Sequence, residues 1–302
     1  MFTADYYDSF AALILYASDM CDRYPNNLTP PPDQRIEKDG WKLKCYIYCN
    51  DFNIFMNTKT NKKELMILEE KVNFGYMVER ITNPGEYVLA IRGTKTNIEW
   101  IKNIDAILIS PWPDTPDQKV CAGFYSMYHS LRLMVPDNTT GVNYQNLPLA
   151  DAITQFIGTN GYCTISGHSL GAVLGTYLMR DIYDKAAHFR SCLFASPNVG
   201  NNEFVTYVDQ HFRDNVVLNY VNDTITKLPL AYSHLPNINE LLPRDDVKIR
   251  DDLGIIESIY CNHVILTYLA LVNKYKFFEV LDGDFPEDQK TWNDCLQVTL
   301  DA

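Results

Sequence analysis

The segment Tyr162-Cys163-Thr164-Ile165-Ser166 runs straight into Gly167-His168-Ser169-Leu170-Gly171, and a helical pattern follows from Leu170 to Lys185. An apolar strand-like run, a turn of the form G-x-S-x-G and a helix leave few folds open. A strand and a helix that meet so sharply pass too close for a Cβ at the two glycine positions. Ala172 and Gly175 keep the helix face narrow where it meets the sheet. The turn lifts the Ser169 hydroxyl above the sheet edge, at the positive end of the helix dipole. By itself G-x-S-x-G arises by chance in about one chain of this length in ten, so its weight comes from the strand before it and the helix after it.

The neighbouring segments fit that frame. Strand-like runs recur at 42–49, 74–79, 86–91, 162–166, 190–195 and 215–221. Helical patterns occur at 95–104, 124–134, 148–157, 170–186, 202–212 and 264–275. Alternating strands and helices predict an α/β chain with a mostly parallel central sheet and helices on both faces. The early strands, joined by short links, read as antiparallel additions at an N-terminal edge. Asp5 to Tyr24 reads as an amphipathic helix with Phe10, Leu13, Ile14, Ala17 and Met20 on one face. Pro30-Pro31-Pro32 makes a stiff loop after it. Without repeats or linkers, residues 1–302 are expected to form a single domain.

Charge excludes more than it assigns. Lys plus Arg is 26 against 38 Asp plus Glu, a net −12. That argues against nucleic-acid partners and against electrostatic docking on anionic membranes. Between Glu279 and Ala302 lie seven acids and one base, so this extension carries −6 and reads as a surface remote from chemistry. The apolar run Phe10 to Ala17 is far short of the roughly 20 residues of a transmembrane segment. Residues 1–9 carry Asp5 and Asp8 and no base, unlike a signal peptide. The expectation is a cytoplasmic protein, or export without a cleaved signal. Sequons at Asn27, Asn138 and Asn222 favour avoidance of the glycosylating route, since Asn222 adjoins a candidate catalytic aspartate. The eight cysteines are expected to be reduced and structural. Cys45 and Cys49, about 13 Å apart on a strand, are too distant for a disulfide or a shared zinc. Cys163 and Cys192 read as small buried hydrophobes.

A serine nucleophile needs a base, and the base needs an acid to fix its tautomer. With this elbow the chain order is Ser, then Asp or Glu, then His. The strand Asn215 to Val221 is followed by Asp223, which becomes the candidate acid. Two histidines remain beyond it, His234 in a Pro-bounded loop and His263 ahead of an apolar run. Spacing favours His263 and leaves His234 open. His168 sits inside the elbow, directed away from the Ser169 side chain, and reads as structural support.

Six ordered blocks then resemble a known family, the fungal-type or class three lipases of the α/β-hydrolase superfamily, and in particular its plant plastid phospholipase A-type branch. They are Ala90-Ile91-Arg92-Gly93-Thr94 with Asn97, Glu99, Trp100 and Ile101; Val120, Gly123, Phe124, Ser126, Met127 and Tyr128; the elbow Gly167-His168-Ser169-Leu170-Gly171-Ala172; Phe194 to Asn201; Val221 to Pro229; and His263 with Tyr268, Leu269, Leu271 and Val272. The match spans about 86–275. Cys121 stands where the family usually has histidine. The first 80 residues, 233–260 and the acidic extension 279–302 lie outside it.

The resemblance implies an α/β-hydrolase fold and hydrolysis of carboxylic esters of lipids, either acylglycerols or phospholipids. Carried over, Ser169 attacks, His263 is the base and Asp223 orients it. The backbone N–H groups of Thr94 and Leu170 form the oxyanion hole, with Gly167, His168 and Gly171 shaping the elbow. Arg92 is expected to pair with a carboxylate beneath the site. Ile98, Trp100 and Ile101, with Ile104, Ile107, Leu108, Ile109 and Trp112, correspond to a lid or substrate-binding segment. Residues 94–112 are therefore expected to make any lipid-interface contact. No metal or organic cofactor is implied. The alternatives are acyl transfer on the same scaffold, a non-catalytic interaction protein, and a zinc protein using Cys261 and His263.

Overall fold

The computed structural model describes residues 6–57, 62–94, 107–136, 141–185, 187–282 and 285–299. Its strands are β1 (Trp41–Asn57), β2 (Lys62–Arg80), β3 (Glu86–Ile91), β4 (Leu108–Ile109), β5 (Val120–Cys121), β6 (Arg132–Met134), β7 (Tyr162–His168), β8 (His188–Phe194), β9 (Asn215–Tyr220), β10 (Ile238–Leu241), β11 (Val247–Ile249) and β12 (Leu296–Val298). Eight of them form one sheet in the order β10-β9-β8-β7-β3-β2-β1-β6. From β10 to β3 every pairing is parallel. From β3 to β6 every pairing is antiparallel. The expected parallel centre with an antiparallel N-terminal edge is therefore present.

Each face of the sheet carries its own core. One packs Ile165, Leu174, Tyr177 and Phe204 beneath the helices Ala122–Ser130, Leu149–Ile157, Leu170–Ile182 and Asn202–His211. The other buries Phe10, Leu13, Tyr76, Tyr268 and Phe277 beneath the helices Tyr7–Arg23, Ile265–Val272 and Lys274–Leu281. The Tyr7–Arg23 helix is more enclosed than a one-faced amphipathic pattern requires, because Ala11, Ala12, Leu15 and Tyr16 are buried as well. The sheet lies on one side of it and the Ile265–Val272 helix on another. Asp8 in its first turn and Arg23 in its last complement the helix dipole.

Several expectations need correction. The pattern read as one helix over 124–134 ends at Ser130, and Arg132–Met134 continues as β6. The run 264–275 is broken. Ile255–His263 ends at an extended Val264, Ile265–Val272 follows, and Asn273 caps Lys274–Leu281 by accepting from the N–H groups of Tyr275 and Lys276. The alternation Leu43, Cys45, Ile47, Cys49 is not one face. A register shift between Leu43 and Cys45 turns Leu43 to the opposite core from the other three, as an extra residue in one strand must. β10 lies in the segment that carried no motif, and its mostly exposed residues give no hydrophobic signal.

The C-terminal extension is tied down, contrary to its reading as a remote surface. Helix Pro286–Cys295 leads into β12, which pairs with β11. Arg35 joins both ends of the chain. Its guanidinium donates to Asp33 (2.9 Å), to Asp288 (2.9 Å), to Asp19 and to the carbonyl of Val280 (3.2 Å), and lies 3.5 Å from the Phe285 ring centre. Burial pushes the carboxyls of Asp19 and Asp288 upward, and the Asp288 charge adds to the rise at Asp19. Three carboxylates around one buried guanidinium make the loss of Arg35 the costly change. Arg35→Met should lower stability by about 3–5 kcal/mol, the cost of breaking a buried ion pair, in urea unfolding. Asp19→Asn keeps hydrogen-bonding capacity, removes a disfavoured charge and should cost far less.

The expectation of fully reduced cysteines is also corrected. Cys261 and Cys295 form a disulfide across 34 residues, while Cys21, Cys45, Cys49, Cys121, Cys163 and Cys192 are buried thiols. No pattern in sequence brings Cys295 to Cys261, because the fold of the extension places it there. With Cys261 oxidised, the zinc alternative loses its thiolate. Alkylation of denatured, unreduced protein should label the six thiols and leave a crosslinked Cys261–Cys295 peptide in the mass spectrum. Eight labelled cysteines would refute the disulfide.

Candidate active site

Ser169 sits between the last residue of β7 and the helix Leu170–Ile182 with φ 54° and ψ −121°. A side-chain-bearing residue is rarely held there, and such strain costs on the order of 1–3 kcal/mol. The turn is clamped locally. The Ser169 N–H donates to the carbonyl of Phe194 (3.0 Å), and the Ser169 carbonyl accepts from the N–H of Ala172 (2.9 Å). The two motif glycines answer to close backbone approaches. A Cβ on Gly167 would lie 2.4 Å from the Gly171 carbonyl oxygen, and one on Gly171 would lie 2.3 Å from that of Ile91. A third glycine serves the same turn. A Cβ on Gly93 would meet the Ser169 Cβ at 3.2 Å, so the bare Gly93 lets the exit of β3 pass beside the serine.

Three candidate side chains meet here. His263 Nε2 lies 2.7 Å from Ser169 Oγ, and His263 Nδ1 lies 2.7 Å from Asp223 Oδ2. All three residues are buried, Asp223 completely. With the Nδ1–H donated to Asp223, the Nε2 lone pair faces the serine hydroxyl, the tautomer a general base requires. Asp223 is itself oriented. Its Oδ1 accepts from the Ile225 N–H (2.9 Å) and its Oδ2 accepts from the Tyr268 hydroxyl (2.8 Å). The Tyr268 oxygen in turn accepts from the Tyr220 N–H at the end of β9 (3.1 Å). Sequence reading placed Tyr268 in a block and missed this role, since an apolar helical run gives no hint of which hydroxyl turns inward.

The remaining candidates separate. His234 hydrogen-bonds Ser196 O (2.7 Å) and Asn219 Nδ2 (3.0 Å), so it braces the loop after β8 and takes no part beside Ser169. Among the described residues Arg92 meets no carboxylate, contrary to expectation. It donates to the carbonyls of Asn73 (3.1 Å) and Gly93 (2.8 Å) and lies 4.6 Å from the Phe74 ring centre, fixing the backbone that leads to Thr94. Leu170 is the first residue of its helix, so its N–H lacks an intrahelical acceptor. Ile98, Trp100 and Ile101 lie outside the described residues. Trp112 is no lid element. It is buried, donates to Asp181 (2.8 Å) and stacks on Phe204. Among the described residues no His, Cys, Asp and Glu cluster could hold a metal ion. Among them too, no single helix is long and apolar enough to cross a membrane.

His168 does more than support the elbow. Its Nε2–H donates to the backbone carbonyl of His263 (2.7 Å), and the two rings are 5.1 Å apart. Burial, with help from the neighbouring His263, lowers its pKa to about 3. An unfolded histidine titrates near 6.5, so the unfolded chain binds this proton first as pH falls. The contribution of His168 to stability is therefore complete above about pH 6.5 and is lost progressively as the pH falls toward 3. The stability difference between wild type and His168→Gln, from urea unfolding, should shrink over that window; a constant difference would show that His168 is not held neutral.

Comparisons agree with this geometry. Residues 88–233 match the family Lipase (class 3). The chain is 27% identical to galactolipase DONGLE, chloroplastic, of Arabidopsis thaliana over 79% of this chain and 56% of the relative. It is 28% identical to phospholipase A1-Ialpha2, chloroplastic, of the same plant over 83% and 58%. It is 26% identical to phospholipase A1 EG1, chloroplastic/mitochondrial, of Oryza sativa subsp. indica over 77% and 58%. The chain thus spans rather more than half the length of these relatives. Their organellar names overturn the expectation of a cytoplasmic protein. Among solved structures, M37 lipase aligns with a TM-score of 0.60 at 16% identity, covering 91% of this chain and 97% of that one. A Rhizomucor miehei triacylglyceride lipase aligns at 0.52 and 15% identity, covering 78% of each. These likenesses give the sheet and its two helical layers the α/β-hydrolase fold. The matched segment, a little under half of the chain, carries the pattern of the class 3 lipase family, and the plant relatives and the fold agree with it.

Proposed function

We propose that the chain is a serine hydrolase that cleaves carboxylic ester bonds of lipids through an acyl-enzyme. The observation that carries this reading is the continuous relay Asp223–His263–Ser169, with both links at 2.7 Å. Ser169 Oγ adds to the ester carbonyl as His263 Nε2 takes its proton. The carbonyl oxygen, now negative, is held by the backbone N–H groups of Thr94 and Leu170, the second at the positive end of its helix. His263 then passes the proton to the departing alkoxide, and water repeats the sequence on the acyl-enzyme. Asp223 stabilises the transient imidazolium and is kept in place by Tyr268.

Lipid contact is proposed at the apolar rim. Ile107 and Leu108, in the segment expected to meet the interface, are exposed, as are Ile255 and Ile256 on the helix that ends at His263. The bonds from Arg35 and the Cys261–Cys295 disulfide support a single working unit over 1–302. A non-catalytic scaffold would need none of the relay, and acyl transfer would share every step up to the acyl-enzyme.

A fluorophosphonate probe tests the reading. Wild type should label at Ser169, and Ser169→Ala should not. His263→Ala should lower ester turnover by about six orders of magnitude and Asp223→Asn by about four, by analogy with triads taken apart elsewhere. Wild type that fails to label, or Ser169→Ala that labels equally, would sink the proposal.

A further inference from the structure

The helix that delivers the base is thinly packed. Of the nine residues of Ile255–His263, only Cys261, Asn262 and His263 are buried. Ile255 is 83% exposed and Ile256 63%. A helix this short does not hold itself in water, so its position depends on what ties it to its surroundings. At its C-terminal end the carbonyls of Cys261 and His263 accept from Thr267 Oγ1 (2.6 Å) and from His168 (2.7 Å). Two further ties run to a single residue, Cys295. Ahead of the helix, the Arg250 N–H donates to the Cys295 carbonyl (3.0 Å). Within its last turn, Cys261 is joined to the Cys295 sulfur.

Cys295 is fixed without the disulfide. It ends the helix Pro286–Cys295, whose Asp288 is bonded to buried Arg35 and whose Trp292 packs edge-on against Phe277. It leads directly into β12, which pairs with β11. The disulfide therefore joins a thinly packed helix to a fixed frame, two residues before His263. That histidine must keep two contacts of 2.7 Å at once. A misplacement on the order of 1 Å at such a group costs about a hundredfold in rate.

We propose that Cys261–Cys295 is a positioning bond for His263. Oxidised, it holds the base in line with Ser169 and Asp223. Reduced, it leaves the chain folded but slackens the base, so that ester turnover follows the redox state of this pair. The proposal rests on the ester-hydrolase reading above and adds a control on its base. The reductant is a dithiol. One of its thiolates attacks a cysteine sulfur and releases the other cysteine as thiolate. Its second thiolate attacks the mixed disulfide, closes a cyclic disulfide and releases the first cysteine. Two electrons pass to the pair, and each cysteine sulfur takes one proton. Both cysteines are buried, so the attack waits on local opening of the extension.

The test uses the full chain, oxidised and after dithiothreitol, with a soluble short-chain ester and a fluorophosphonate probe. Alkylation counts eight thiols in the reduced form against six in the oxidised one. Near-ultraviolet circular dichroism reports the fold. Reduced protein should stay folded and lose about a hundredfold in kcat with KM little moved, as a displaced base requires. Reoxidation should restore the rate. The far-downfield proton resonance of the His263 Nδ1–H bonded to Asp223 should weaken on reduction. Cys295→Ala should match reduced wild type and ignore dithiothreitol, and it decides the question where the bond resists the dithiol. Folded, reduced protein with undiminished kcat overturns the proposal, as does Cys295→Ala at the oxidised wild-type rate. Loss of the near-ultraviolet signal in either form overturns it too, because the bond would then be a staple of the whole fold. Oxidised wild type that neither labels nor cleaves ester overturns the hydrolase reading, and the positioning role with it.

Discussion

The turn at Ser169 works only because backbones are packed there at distances that exclude side chains. Gly171 sits against the carbonyl of Ile91 at the end of β3, and Gly167 sits against Gly171 itself. One parallel pairing, β3 with β7, therefore brings the serine and Thr94 to the same sheet edge. The same packing holds Ser169 at φ 54°, where an isolated residue would relax. Strain of about 1–3 kcal/mol is affordable only inside a structure that fixes both flanks. Here the flanks are a buried strand and a buried helix.

The rest of the relay is held from the opposite side of the sheet. Asp223 follows β9 but is steered by Tyr268, which lies on the helix after the break at Val264. His263 ends the helix before that break, and His168 from the elbow grips its carbonyl. His263 is thus bonded to Ser169 by its side chain and to His168 by its backbone. Two residues upstream, Cys261 is linked to Cys295. The helix that delivers the base is accordingly anchored at both the sheet and the C-terminal extension, which helps keep two 2.7 Å contacts in register.

What sequence could reveal follows from how each feature is encoded. The elbow is local, since strand, turn glycines and helix are contiguous, and each obeys its own period or steric rule. The order of acid and base is a topological consequence of a parallel sheet, which is why Asp223 and His263 were legible and why His234, equally well placed in order, needed the structure to set it aside. The break at Val264 carries no glycine or proline. The break inside the run read as one helix over 264–275 falls at Asn273, whose side chain caps the next helix, and it too lacks a glycine or proline. β10 is silent because its side chains face solvent. The bulge that turns Leu43 away leaves the alternation of residue types intact while reversing its meaning. Arg92 looked like half of an ion pair because sequence shows a charge but not the carbonyls that surround it.

The acidity of the chain shows the same gap between composition and placement. A net −12, half of it beyond Glu279, reads as a solvated surface only while the extension is imagined as loose. Once Asp288 is buried on Arg35 and Glu287 lines the cavity that also holds Thr94, part of that charge is built into the fold. Buried carboxylates with one guanidinium among them are a poor source of stability by themselves. Their position is better accounted for by what they join, because Arg35 ties Asp19 of the N-terminal helix to Asp288 of the C-terminal extension.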